Sequence, residues 1–230
     1  LNGDMPNYWP KSEATESGWK IELPEYIKDQ RNQMTGPADD AELVVKMLNS
    51  GAPGVMIDLE DSIRNAWENL EKGIENSIKA LHGELDYYDF KRDRKVPINS
   101  SKTAAMIRVR GLYLNQAGVF ADELLSASVY DAARIAFGVD KWKLKNNLTF
   151  YIPKTESAEE AFFWRDLFQR LEEKLGWERG YIKCFALVEA HPFAFQMEEF
   201  IYNLREHILG LNLGRWDYMA SLIHFNLADK

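Results

Sequence analysis

One cysteine, Cys184, stands in a chain of 230 residues. A single thiol excludes an internal disulfide framework and a multi-cysteine metal site. Its place inside an apolar run reads as a buried core thiol. The four histidines, His82, His191, His207 and His224, lack a zinc-binding spacing; His191 precedes Pro192 and reads as a turn residue. Basic residues are outnumbered, 28 Lys and Arg against 36 Asp and Glu, for a formal net charge of −8. That balance argues against nucleic acid as a partner, because such a footprint needs a basic patch. The run Lys91-Arg92-Asp93-Arg94-Lys95 contains an acid and reads as an exposed turn. No apolar stretch is long enough to span a bilayer, and no basic segment followed by an apolar one marks a secretion signal. The expectation is a soluble protein of a reducing compartment, cytoplasmic, with neither a membrane nor a nucleic acid as partner. A Walker loop, Gly-x-Gly-x-x-Gly and Gly-x-Ser-x-Gly are all missing. Nucleotide hydrolysis, Rossmann-type redox chemistry and serine hydrolysis therefore have no support.

What is present is a large apolar fraction, 46%, with 13% aromatic residues. That is enough for a substantial core. Residues 1–22 mix Gly, Asn, Pro, Ser and charge without periodicity and are expected to form an extended arm or loop. Residues 23–230 alternate short β-rich runs with amphipathic helical stretches, the pattern of βαβ units and a parallel sheet. Six strands are predicted: Asn32–Thr35, Gly54–Leu59, Ala105–Val109, Leu148–Ile152, Ile182–Val188 and Ile208–Leu213. Most are continuous apolar runs, as strands buried on both faces are. Helices are predicted over Asp39–Asn49, Ile63–Leu81, Asp122–Phe137, Ser157–Leu175 and Phe193–Glu206, with an antiparallel excursion through Tyr87–Val96. The fold class is α/β, a TIM (β/α)8-type barrel of which about six of eight strands are visible.

The chemistry-bearing residues cluster where predicted strands end, which in a barrel is where active sites are built. Asp58-Leu59-Glu60-Asp61-Ser62 follows an apolar run, and Asp58 and Glu60 share a side by strand alternation. Two acids there can hold a cation or its waters, or cap the next helix. Arg108 and Arg110 share a side at another strand end, suited to a carboxylate or an enolate oxygen, or equally to a structural ion pair. Lys154, after Pro153, can meet an anionic substrate, pair with a metal-ligand acid, or stand exposed at a helix entry. Glu189 ends a long apolar strand, and a buried carboxylate requires a cation or hydrogen-bond donors. Gly210 to Tyr218 is the most specific segment: Gly214 permits close backbone approach to an anion, and Asp217 offers a second metal oxygen. Several converging carboxylates favour a hard cation, and oxygen ligands favour Mg²⁺.

The order of these motifs resembles the malate synthases of the shorter, A-type class. The resemblance runs from about Ile21 almost to the end. It rests on Met34-Thr35-Gly36-Pro37, Asn49-Ser50-Gly51-Ala52, Asp58 to Ser62, Arg108-Val109-Arg110-Gly111, Pro153 to Ser157, Leu204-Arg205-Glu206-His207 and Gly210 to Tyr218. It implies a (β/α)8 barrel that binds Mg²⁺, acetyl-CoA and glyoxylate and condenses the two into malate and CoA, placed in glyoxysomes or peroxisomes if the source is eukaryotic. By position it implies Glu189 and Asp217 as metal ligands, with Asp58 and Glu60 holding metal-bound waters. Arg108 becomes the group that steadies the enolate and contacts glyoxylate. The segment Gly214, Arg215, Trp216 and Asp217 receives the glyoxylate carboxylate. The chain departs from the family at Arg64-Asn65-Ala66-Trp67, around Asn115 and Gln116, and at Ala190. The last two barrel strands and the helical domain with the general-base Asp are expected to lie outside this sequence. Related readings are a citrate-lyase β-subunit-like or malyl-CoA lyase-like enzyme, which cleaves the C–C bond, and a non-catalytic carboxylate-binding relative.

Overall fold

The structure is a computed structural model, and it describes residues 5–99 and 102–228. The first half of the chain contains α1 (Glu13–Glu16), β1 (Gln33–Pro37), α2 (Ala41–Leu48), β2 (Gly54–Asp58), α3 (Trp67–Leu81), the hairpin β3 (Asp86–Asp89) and β4 (Arg94–Pro97), and β5 (Ala104–Arg108). Then come β6 (Asn115–Gln116), β7 (Leu125–Ser126), α4 (Ala127–Gly138), β8 (Thr149–Ile152), α5 (Glu160–Leu175), β9 (Lys183–Val188), α6 (Met197–Asn203), β10 (Ile208–Leu213) and α7 (Arg215–Ala228). All six predicted strands form, within a residue or two of their expected bounds. The chain divides into two compact units, Leu23–Tyr151 and a second made of Leu1–Glu22 with Ile152–Lys230.

In the Leu23–Tyr151 unit, β1 pairs with β2, β2 with β5 and β5 with β8, every pairing parallel. Parallel strands need crossover connections, and α2, α3 and α4 supply them. Asp40 caps α2 by accepting the Leu43 N–H at 2.9 Å, and the helix buries Val44, Val45, Met47 and Leu48. All five residues of β2 are buried, which explains why the run reads as apolar rather than alternating. α3 comes close enough that a Cβ on Gly73 would meet Leu59 Cδ2 at 2.8 Å. Of the Lys91–Lys95 run, Lys91 to Asp93 lie in the exposed turn between β3 and β4 while Arg94 and Lys95 open β4, and Asp93 takes a left-handed φ of 48°.

In the other unit, β9 and β10 pair in parallel with an irregularity between Ile208 and Gly210. Trp164, Phe168, Phe193 and Phe200 are fully enclosed in its core. Cys184 is also buried, and burial pushes its thiol far above the usual range. The expected arm carries a helical turn, α1, closed by a capping box between Ser12 and Thr15. Tyr8 packs edge-on against Phe195, and Trp19 against Tyr202, whose hydroxyl donates to Glu13 at 2.7 Å. Residues 1–4 lie outside the described part.

Four predicted helices start late, α3 at Trp67, α4 at Ala127, α5 at Glu160 and α6 at Met197, and a further helix is not predicted. At the start of α5 the Glu160 carboxylate accepts the N–H groups of Glu156 (2.7 Å) and Ser157 (3.3 Å). Arg215–Ala228 is a helix for which the sequence pattern gives no prediction. Trp216, Met219, Ile223 and Leu227 are exposed, while Tyr218, Ser221, Leu222 and Phe225 lie on its partly buried face; apolar residues on both faces blur the single stripe that reveals a helix in sequence.

Candidate active site

Asp58 is the last residue of β2, and its register partner on β5 is Arg108. Parallel neighbours in register project side chains to the same face, so the two meet directly. Arg108 donates through Nε to Asp58 Oδ1 at 2.6 Å and through Nη2 to Oδ2 at 2.7 Å, a two-pronged charged contact. Asp58 is wholly buried and Arg108 nearly so. Asp58 Oδ1 also accepts the Glu60 N–H at 2.8 Å, and Oδ2 accepts the N–H and hydroxyl of Ser62.

Burial alone would raise the Asp58 pKa, but the hydrogen bonds and charge of Arg108, with those of Ser62 and Glu60, outweigh it and hold the pKa below the usual carboxylate value. Burial likewise works against the Arg108 charge, and Asp58 overrides it, so the guanidinium pKa rises. The Asp58 oxygens are already engaged by five donors, and what Asp58 does in this structure is fix Arg108. The acidic motif does bring Glu60 in: the third guanidinium nitrogen, Nη1, lies 3.5 Å from both Glu60 Oε2 and Asp61 Oδ2. Tyr113 donates to Glu60 Oε1 at 3.2 Å.

Arg110 forms the structural ion pair. Its backbone N–H and guanidinium bind Asp131 of α4 at 2.7–3.2 Å, with the Asp131 carboxylate fully buried. The sequence signal for this partner was faint: one acid inside the otherwise apolar stretch of α4.

In the other unit, three segments meet past the ends of β8, β9 and β10. Glu189 follows β9 and is buried. A Cβ on Gly214 would lie within 2.7 Å of Glu189 Oε1, and closer still to its Cγ. Only glycine leaves room for that carboxylate. Asp217 lies in the first turn of α7, half-exposed. Lys154 connects the two acids: its Nζ is 3.4 Å from Glu189 Oε2 and 3.2 Å from Asp217 Oδ2. Its backbone N–H donates to Glu189 Oε2 at 2.9 Å, from a left-handed φ of 53° that is uncommon for lysine. Sequence reasoning gave Lys154 no firm role; φ is invisible in sequence, and Pro-Lys-Thr reads equally as an exposed helix entry.

Gly214 stands immediately before α7, so the first-turn N–H groups of Arg215, Trp216 and Asp217 lack intrahelical acceptors and form the positive end of the helix. The side chains of Arg215 and Trp216 stack on each other at 5.0 Å, with the Trp216 ring exposed. What this segment offers an anion is therefore backbone. His191 has the turn role expected of it: it opens the 3-10 turn Pro192–Phe195, and its ring packs edge-on against Phe195, Tyr218 and Phe225.

Glu189 and Asp217 both turn a carboxylate oxygen to the Lys154 ammonium, and oxygen donors are the kind that a hard divalent ion takes. Among the described residues no group of three or more His, Cys, Asp or Glu side chains gathers so as to hold such an ion. Two carboxylates nonetheless suit Mg²⁺, which keeps several waters and substrate oxygens as its other ligands. A cavity of about 930 Å³ lies at the opposite, amino ends of β1, β2, β5 and β8, lined by Tyr26, Pro53, Lys102 and Lys145 among others. None of the residues above borders it, and barrel chemistry belongs to the carboxyl ends.

Parallel strands joined by helices, with acids and arginines gathered past their carboxyl ends, define a protein of the (β/α)-barrel class. The family model of the malate synthase TIM barrel domain matches residues 104–229. The chain is 35% identical to a malate synthase of Oryza sativa subsp. japonica and 35% identical to one of Myxococcus xanthus, in each case over 96% of its own length. It is 36% identical to the bifunctional glyoxylate cycle protein of Caenorhabditis elegans over 95% of its length. The chain belongs to the malate synthase family. It spans 41% of the length of the rice and Myxococcus relatives and 23% of the nematode one.

Proposed function

We propose that this chain carries the metal- and glyoxylate-binding portion of a malate synthase, joining acetyl-CoA to glyoxylate and releasing malate and CoA. The observation that supports this most directly is the convergence of the Glu189 and Asp217 carboxylates on the Lys154 ammonium beside the amino end of α7. Glu189 and Asp217 would hold Mg²⁺, which as a Lewis acid polarises the glyoxylate aldehyde. The first-turn N–H groups of Arg215 to Asp217 receive the substrate carboxylate. Gly214 keeps Glu189 seated against the backbone.

A base, which the family resemblance makes an Asp of the helical domain, takes the acetyl-CoA methyl proton; negative charge then builds on the thioester oxygen, and a fixed cation opposite that oxygen lowers the barrier. Arg108 is our candidate for that group, with Asp58 as its positioning residue and Glu60 at its outer nitrogen. The C–C bond then forms between the enolate carbon and the aldehyde carbon, and water cleaves the thioester to free CoA. Plant relatives from Cucumis sativus and Cucurbita maxima are named glyoxysomal. Among the described residues no helix is long and apolar enough to cross a membrane. We place this chain in the cytoplasm of a bacterium, or in glyoxysomes or peroxisomes of a eukaryote.

Calorimetry of glyoxylate binding with and without Mg²⁺ tests the reading. Mg²⁺-dependent binding is expected in the unaltered chain and is expected to vanish in Asp217→Asn; equal affinity in the two would remove Asp217 from the metal. CoA release from acetyl-CoA plus glyoxylate, set against glyoxylate release from malyl-CoA, separates synthase from lyase. Binding with neither turnover would mark a non-catalytic carboxylate binder.

A further inference from the structure

Lys154 is held in its place by two independent contacts, and each constrains what it does. Its left-handed φ of 53° aims the backbone N–H at Glu189 Oε2, 2.9 Å away; a non-glycine residue stays in that conformation only where its surroundings enforce it. Its ammonium then lies 3.4 Å from Glu189 Oε2 and 3.2 Å from Asp217 Oδ2. Two carboxylates facing one point repel unless a positive charge stands between them. We propose that Lys154 is the internal counter-cation of this site: it holds Glu189 and Asp217 together in the metal-free protein and gives up its place when a divalent ion enters. This rests on the reading of those two acids as metal ligands.

The chemistry of lysine fits exchange rather than permanent pairing. Its ammonium is a compact, strongly hydrated charge on a flexible four-carbon stem, whereas an arginine fork would lock both acids. The Lys154 side chain is 21% exposed, so water can receive the ammonium as it swings out. The backbone N–H does not leave with it. Glu189 therefore keeps its anchor, and Gly214 its clearance for that carboxylate, while the cation is exchanged. The acids are presented in ligand geometry before any metal arrives.

The test titrates Mg²⁺ alone, by calorimetry, into the full chain and into Lys154→Met, Lys154→Gln and Lys154→Arg. Removing the competing charge is expected to tighten Mg²⁺ binding about tenfold in Lys154→Met and Lys154→Gln. Lys154→Arg, which keeps the charge, is expected to bind no tighter than the unaltered chain. The metal-free melting temperature of Lys154→Met should fall, while its rise on adding Mg²⁺ should exceed that of the unaltered chain. A lysine that merely supports the fold would lower the melting temperature with no gain in metal affinity, and that result overturns the proposal. Equal or weaker Mg²⁺ binding in both neutral variants overturns it as well, while the metal reading stands so long as Asp217→Asn still abolishes binding. If the folded, unaltered chain and both neutral variants all fail to bind Mg²⁺, the metal reading falls and takes this proposal with it.

Discussion

Asp58 and Arg108 compensate each other's burial through a two-pronged contact. A lone guanidinium left in that position faces the desolvation cost with its main acceptor gone, so Asp58→Asn is expected to destabilise the fold by about 3–5 kcal/mol. Urea denaturation measures this, and a change below about 1 kcal/mol would show that Glu60 and Asp61 can replace Asp58. The pair also sets a pH dependence. Because the folded Asp58 pKa lies below its ordinary value of 3.8, its contribution is complete above that value and is lost as the pH falls through the lower, folded one. At this scale the sequence identified the participants but not their partners. Asp58, Glu60 and Arg108 all stood out as charges ending apolar runs. That Arg108 forks Asp58 while Arg110 forks Asp131 depends on strand register and on where α4 lies, and neither is written in spacing.

The amino end of α5 shows how an element can carry its own titration. Glu160 belongs to the first turn, where a helix favours negative charge, yet burial dominates and pushes its pKa from 4.5 up to about 7. A carboxyl raised on folding stabilises most below its unfolded value, and that contribution is lost as the pH rises through about 7. Thermal melts are expected to show the unaltered chain losing stability between pH 5 and pH 8 relative to Glu160→Gln, whose neutral amide does not titrate. Parallel pH profiles for the two would mean Glu160 is ionised throughout.

Elements with a buried face were legible in the sequence. The continuous apolar runs of β2, β8 and β9 announced strands covered on both sides, and the spacing in α2 and α3 announced helices with one inner face. α7 was not legible, because apolar residues stand on both its exposed and its partly buried face, and no single stripe stands out. The Ser12 turn passed unnoticed for a different reason: one capped turn is too short for any periodicity to appear.

The whole chain offers a test that depends on no single side chain. A ligand that binds only the folded state at a hundred times its Kd stabilises by about 2.7 kcal/mol. For a chain of this size that corresponds to a rise in melting temperature of about 5–10 °C. Mg²⁺ with glyoxylate is expected to produce such a rise, with much less from either alone; no rise at saturating concentrations would count against a formed binding site. The sequence by itself determined the barrel class, the family and most of the charged residues at strand ends. Burial on both faces forces strands to be apolar, and an abrupt charge at their ends is then conspicuous. Tertiary structure alone decided which charges meet: that Lys154 bridges Glu189 and Asp217, and that the clearance at Gly214 belongs to Glu189. Those contacts join positions 25 to 63 residues apart in the chain, and only the folded backbone, including one left-handed residue, brings them within a few ångströms.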